Sequence, residues 1–215
     1  MNLAQHHRQA FCDAAEAAGP QAPTLCEGWT VADLVAHVVV RDRRPDAVVG
    51  KVLPPAQRHA EAVHHQCASL PFPDLLDRAR SGPPRWSPAR LPSVDDAMNV
   101  VEFVVHREDI VRADPAWSGD ANDQVDHKSA EAMWSALRRM GRLLYRAAPT
   151  GVVMRVPRLG RAVMRRPSRD QGSVVVTGRP VELLLHAFGR TSHARVEVSG
   201  DEQDVAAFFT TPLGV

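Results

Sequence analysis

Apolar positions recur with helical spacing through residues 1–145, then alternate with polar ones to the C-terminus. Asn2 stands where a helix cap belongs. Leu3, Ala10, Phe11, Ala14 and Ala18 share a face behind it, before Gly19-Pro20 ends the run. After a loop over 23–28, Thr30 opens a second helix. Its hydroxyl can accept from the backbone N–H of Asp33, whose charge suits the positive end of the helix dipole. That helix stops before Pro45. Residues 56–70 and 74–81 give a third helix broken by Pro71 and Pro73, and Pro83, Pro84, Pro88 and Pro92 leave an extended stretch. Ser93 caps a fourth helix that ends near Asp114-Pro115. A fifth, over 124–146, carries Val125, Met133, Leu137, Met140, Leu143 and Leu144 on one side. The prediction is a bundle of four principal helices.

Past Pro149 the period falls to two. Three short strands, 151–157, 172–178 and 194–200, are bounded by Gly or Pro, with helices over 180–189 and 201–209. The expected fold class is α+β, with a helical bundle over 1–147 and a small α+β unit over 148–215. A core that small is expected to pack on the bundle rather than stand alone.

Composition narrows the functional classes. Lys+Arg total 26 against Asp+Glu 25, so no basic field points to nucleic acid. The apolar runs fall well short of the roughly 18 residues of a membrane span. The N-terminus is polar and amphipathic, without an apolar core and cleavage site. Cys12, Cys26 and Cys67 make neither a disulfide framework nor a metal knuckle. A cytoplasmic protein with neither nucleic-acid nor membrane partner is the expectation. Arg155, Arg158, Arg161, Arg165, Arg166 and Arg169 form a basic run, read as a solvated linker face or an anion-binding rim.

Two polar intrusions carry the chemistry. His37 interrupts Leu34-Val35-Ala36 and Val38-Val39-Val40, and Glu102 sits inside Val100-Val101 and Phe103-Val104-Val105. Glu102 and His106 are four apart, one turn along a single helical face. A carboxylate in such a run must be protonated or partnered, because leaving it charged and alone costs several kcal/mol (about 2–7 even for a neutral polar group). Two imidazoles and a carboxylate converging inside a bundle are a recurring way to build a metal site. The same set serves open zinc sites and non-haem iron, so ligand type leaves the metal open. Such ligands bind in competition with protons. Histidines titrating near 6.5 predict metal release steepest below about pH 6.

The segments LCEGWTVADLVAHVVVRDRRPDAVVG and VVEFVVHREDIVRADPAW resemble the metal-binding domain of mycothiol-dependent maleylpyruvate isomerase and its actinobacterial relatives, within the DinB-like four-helix-bundle superfamily. VTGRPVELLLHAFGRTSHARVEVSG is similar to the α+β segment that follows the bundle in these proteins. The most specific part is W-T-x2-D-L-x2-H followed by E-x3-H. The resemblance implies a divalent metal, zinc first, on His37, Glu102 and His106, with iron, nickel or manganese as other candidates. It also implies a low-molecular-weight thiol, mycothiol, acting as metal-bound thiolate on a small electrophile in an isomerase or transferase reaction. A metal-dependent hydrolase and a non-enzymatic metal-binding regulatory or interaction protein are the alternatives. Asp109 is a candidate to orient a ligand from behind, and Cys26 lies in the loop before the second helix. Arg190 is the candidate to hold a substrate carboxylate bidentately. His6-His7 and His64-His65 read as solvated surface pairs.

Overall fold

The structure, a computed structural model, describes residues 2–49, 57–84, 87, 91–119, 125–169 and 171–210. They form two compact units, residues 1–121 and 122–215.

The first unit holds α1 (Leu3–Ala18), α2 (Val31–Arg43), α3 (Pro45–Val49), α4 (Gln57–Ala68), α5 (Phe72–Ser81) and α6 (Pro92–Val111). Two of the three expected caps form as reciprocal boxes: Asn2 with Gln5 and Thr30 with Asp33. A cap of this kind is worth about 1 kcal/mol. α1 lies along α6, while α2 packs on α4 and α5. Phe11, Leu34, Val38, Leu75, Phe103 and Ile110 are buried in the core between them. Arg8 is buried there too. Its Nη1 donates to Asp42 Oδ2 at 2.5 Å and to the carbonyl of Ala79 at 2.9 Å, and its guanidinium lies 4.4 Å from the ring centre of Phe103. One charged side chain thus ties α1 to α2, α5 and α6.

Three departures from the sequence pattern have one physical source, which is proline's tolerance in a helix's first turn. The third helix is two helices, because Pro71 ends one run and Pro73 is accommodated at the start of α5. Pro45 opens the short α3. α6 starts at Pro92, which puts Ser93 inside its first turn.

The second unit contains α7 (His127–Leu144), β1 (Gly151–Val156), β2 (Gly160–Arg165), β3 (Ser173–Thr177), α8 (Pro180–Ala187), β4 (Glu197–Ser199) and α9 (Glu202–Phe209). The sheet order is β2-β1-β3-β4. β1 pairs antiparallel with β2 and parallel with β3, and β3 pairs antiparallel with β4. Val152, Met154, Val156, Val174 and Val176 alternate into a core that also buries Met133, Leu137, Leu184 and Phe208. α7 packs on β2 and α8. It therefore belongs with the second unit, whereas its spacing had suggested the bundle, and the units divide at 121/122 rather than after 147. Gly141 makes the approach to β2 possible, since a Cβ there would come within 2.2 Å of Met164 Sδ.

β2 is the strand that the alternation missed. It is an edge strand whose sequence, Gly-Arg-Ala-Val-Met-Arg, buries Met164 alone among its six residues. Arg161 and Arg165 thus lie on a strand and not on a linker, with Arg158 at positive φ in the turn.

One buried polar group stands out. The Tyr145 hydroxyl and His186 Nδ1 are 2.8 Å apart, and the rings of Tyr145, His186 and Phe208 lie within 16° of parallel. His186 Nε2 is buried with no hydrogen-bond partner among the described residues. Desolvation pushes His186 down to about 4. Among the described residues no helix is long and apolar enough to cross a membrane.

Candidate metal centre

α2 carries His37 and α6 carries Glu102 and His106, and the structure brings all three together. Glu102 Oε1 lies 3.1 Å from His37 Nε2 and 3.3 Å from His106 Nε2. The two imidazole rings meet edge to face with centres 5.4 Å apart. One donor atom from each residue lies within 4.8 Å of the other two. The side chains are 11%, 23% and 13% exposed, so the cluster is sheltered yet reachable from solvent.

The residues behind the cluster explain its electrostatics. Asp109, fully buried one turn after His106, accepts from His106 Nδ1 at 2.9 Å and from the thiol of Cys26 at 3.3 Å. The loop that carries Cys26 is strapped to α6 by the Leu25 N–H, which donates to the carbonyl of Asp109 at 2.9 Å. His106 therefore stands between two carboxylates. Burial alone would lower its pKa, but hydrogen bonds to Asp109, Cys26 and Glu102 outweigh burial and hold it well above the usual histidine range. Burial likewise pushes Glu102 up, yet hydrogen bonds from His106 and His37 and the charge of Arg41 keep it well below the usual carboxylate range. The carboxylate is partnered, as a charged acid in an apolar run must be.

Arg41 is the residue that sequence spacing did not single out, although it lies one turn beyond His37. Its Nε stands 3.7 Å from Glu102 Oε1, and its Nη1 donates to Asn99. Asn99 in turn donates to Asp95 at 2.7 Å, and Asp95 accepts from the Asn2 side chain at 3.1 Å. A chain of polar contacts thus runs from the cluster to the cap of α1. Trp29 is a second neighbour of the cluster. Its indole packs 5.4 Å from the His37 ring and stacks on His64 at 5.0 Å. His64 is not solvated surface: half-buried, its Nε2 donates to the carbonyl of Asp33 at 2.9 Å. His65 beside it is exposed. Arg190, in the second unit, donates through Nη1 to the carbonyl of Phe188 at 2.7 Å.

Two nitrogens and one oxygen of this kind suit a borderline divalent cation. Asp109 holds the Nδ1 proton of His106, so the nitrogen left to give up its proton and ligate is Nε2, the one facing the cluster. The residues fit a metal.

The sequence matches no protein-family model and no curated protein. Its fold does have solved counterparts. Crystal structures of mycothiol-dependent maleylpyruvate isomerase and of a histidine-to-alanine mutant of that enzyme match at 19% and 18% identity, each with a TM-score of 0.58. Each match covers 92% of this chain and 90% of the other. The α+β fold of this chain, helical unit first and small mixed sheet after it, is thus similar to that of mycothiol-dependent maleylpyruvate isomerase.

Proposed function

We propose that His37, Glu102 and His106 hold one divalent metal ion, zinc first among the candidates. The protein is then a thiol-dependent isomerase or S-transferase that joins a low-molecular-weight thiol, such as mycothiol, to a small electrophile. The observation that supports this reading most is the approach of two imidazole Nε2 atoms to one carboxylate oxygen, at 3.1 and 3.3 Å, from two different helices. Bound there, the ion would lower the pKa of a thiol that reaches it, so that thiolate forms near neutral pH. The protein's own residues do the rest. Asp109 fixes the tautomer and orientation of His106, Arg41 adds its charge to the histidine hydrogen bonds that keep Glu102 ionised, and Trp29 packs against the His37 ring. An isomerase of this kind adds a thiolate to a conjugated double bond, lets that bond rotate and expels the thiol again.

The direct test supplies the metal-loaded protein with mycothiol and maleylpyruvate. Loss of substrate that needs both thiol and metal, and that disappears in His37→Ala, is the expected result. Turnover of an ester or amide without thiol would assign a hydrolase instead. Bound metal without turnover on a panel of thiols and electrophiles would assign a non-enzymatic metal-binding protein.

Asp109 offers a second check. Asp109→Ala is expected to weaken metal binding by about 10- to 100-fold, the usual effect of removing a carboxylate behind a ligating histidine. Competition titration against a chromophoric chelator measures it. Unchanged affinity would leave Asp109 with a structural role only.

A further inference from the structure

A cleft of about 290 Å³ opens between α2, α4 and α5, and it has a distinct chemistry. Val39, Val63 and Leu70 give it an apolar floor, while Arg43, Arg44, Arg78 and the half-buried thiol of Cys67 stand on its wall. No carboxylate lines it among the described residues. The three arginines on the wall are not equally occupied. Arg44 is engaged by Asp46 through two contacts of 2.9 and 2.8 Å. Arg78 is exposed and has no acidic partner among the described residues. Arg43 donates through Nη2 to Ser81 and to the carbonyl of Gly82, and its Nε is buried with no hydrogen-bond partner among the described residues. A buried donor without an acceptor costs about 1–3 kcal/mol, which a bound anion would offset. The pocket is thus apolar at its floor, cationic at its wall and at the small end of ligand-sized sites.

We propose that this cleft binds a small free carboxylate with a hydrocarbon tail. The carboxylate is taken by the guanidiniums of Arg43 and Arg78, and the tail lies on Val39, Val63 and Leu70. Charge complementarity selects an anion, and the apolar floor selects an amphipathic one. The inference is independent of the metal reading, since none of His37, Glu102 and His106 lines the cleft.

Cys67 supplies the reporter. Cys67 lines the cleft, so a ligand seated there shields its thiol from an alkylating reagent. The full-length protein is treated with iodoacetamide, and modification is read peptide by peptide, with Cys26 as internal control. Millimolar octanoate is expected to slow alkylation of Cys67 several-fold and leave Cys26 unchanged, while neutral octanamide has little effect. Arg78→Ala, at an exposed position, is expected to weaken octanoate binding roughly tenfold, as loss of a charge-assisted contact should. No protection of Cys67, equal protection by octanamide, or undiminished protection in Arg78→Ala would each overturn the proposal. Much tighter binding of octyl phosphate would overturn the carboxylate assignment. Protection by phosphatidylglycerol vesicles in place of free octanoate would overturn the claim that the ligand is a free molecule.

Discussion

Glu102→Ala is expected to weaken binding of Zn²⁺ by roughly three orders of magnitude, about 4 kcal/mol, since three protein ligands share a binding free energy on the order of 10–16 kcal/mol. The variant loses more than one oxygen. Glu102 accepts from both histidines and answers the charge of Arg41, so its removal leaves three nitrogen-rich groups facing one another. Glu102→Gln keeps the shape and the packing. It separates loss of a ligand from loss of structure, and it is expected to lose most of the affinity as well. Competition titration at pH 7.5 reads both. The pH dependence of the wild type carries a further expectation. His106 is held protonated well above the usual range by Asp109, Cys26 and Glu102, so the ion must displace a proton from Nε2. Affinity therefore falls as pH falls, and that fall begins above pH 6.5. Unperturbed histidines had placed its steepest part below about pH 6. The hydrogen bonds that Asp109 and Glu102 make to His106 move it upward.

The second large effect is acid sensitivity in the other unit. His186 is buried neutral, with a folded-state pKa of about 4 against an ordinary value of 6.5. Between those values the unfolded chain binds a proton that the folded chain refuses. Its contribution is therefore complete above about pH 6.5, declines as pH falls, and is gone near pH 4. The difference amounts to about 3 kcal/mol at 1.36 kcal/mol per pKa unit. His186→Phe is expected to flatten that part of the stability-versus-pH curve. At neutral pH it costs about 1–3 kcal/mol, because the Tyr145 hydroxyl loses its buried partner. Urea melts of wild type and variant at pH 7 and pH 4.5 give the comparison. A wild-type stability that fell no faster than the variant's would mean that the orphaned Nε2 finds a hydrogen-bond partner in solution.

Local signals were legible because they depend on neighbours in sequence. Asn2 with Gln5 and Thr30 with Asp33 are short-range boxes, and each sets a helix start where the pattern puts it. The spacing of Glu102 and His106 fixes their common face on α6, and the apolar run around His37 marks it as inward-facing. Tertiary choices were harder to read. The apolar stripe of α7 says that one face is buried but not against which neighbour, and its partners are β2 and α8. β2 itself is an edge strand with arginines at its exposed positions, so alternation never shows. Arg41, Trp29 and His64 acquire their roles from α6 and from one another across loops. Asp109 was visible only as a residue one turn past a ligand candidate. Its complete burial between His106 and Cys26 shows how it sets the charge of His106.

Metal content of the purified protein shows whether His37, Glu102 and His106 hold an ion. The chain is produced in metal-replete medium, and elemental analysis is run beside His37→Ala and Glu102→Ala. Close to one divalent ion per chain is expected in the wild type, and a small fraction of that in either variant. A wild type that holds no divalent metal, or variants that retain it in full, would contradict the metal assignment.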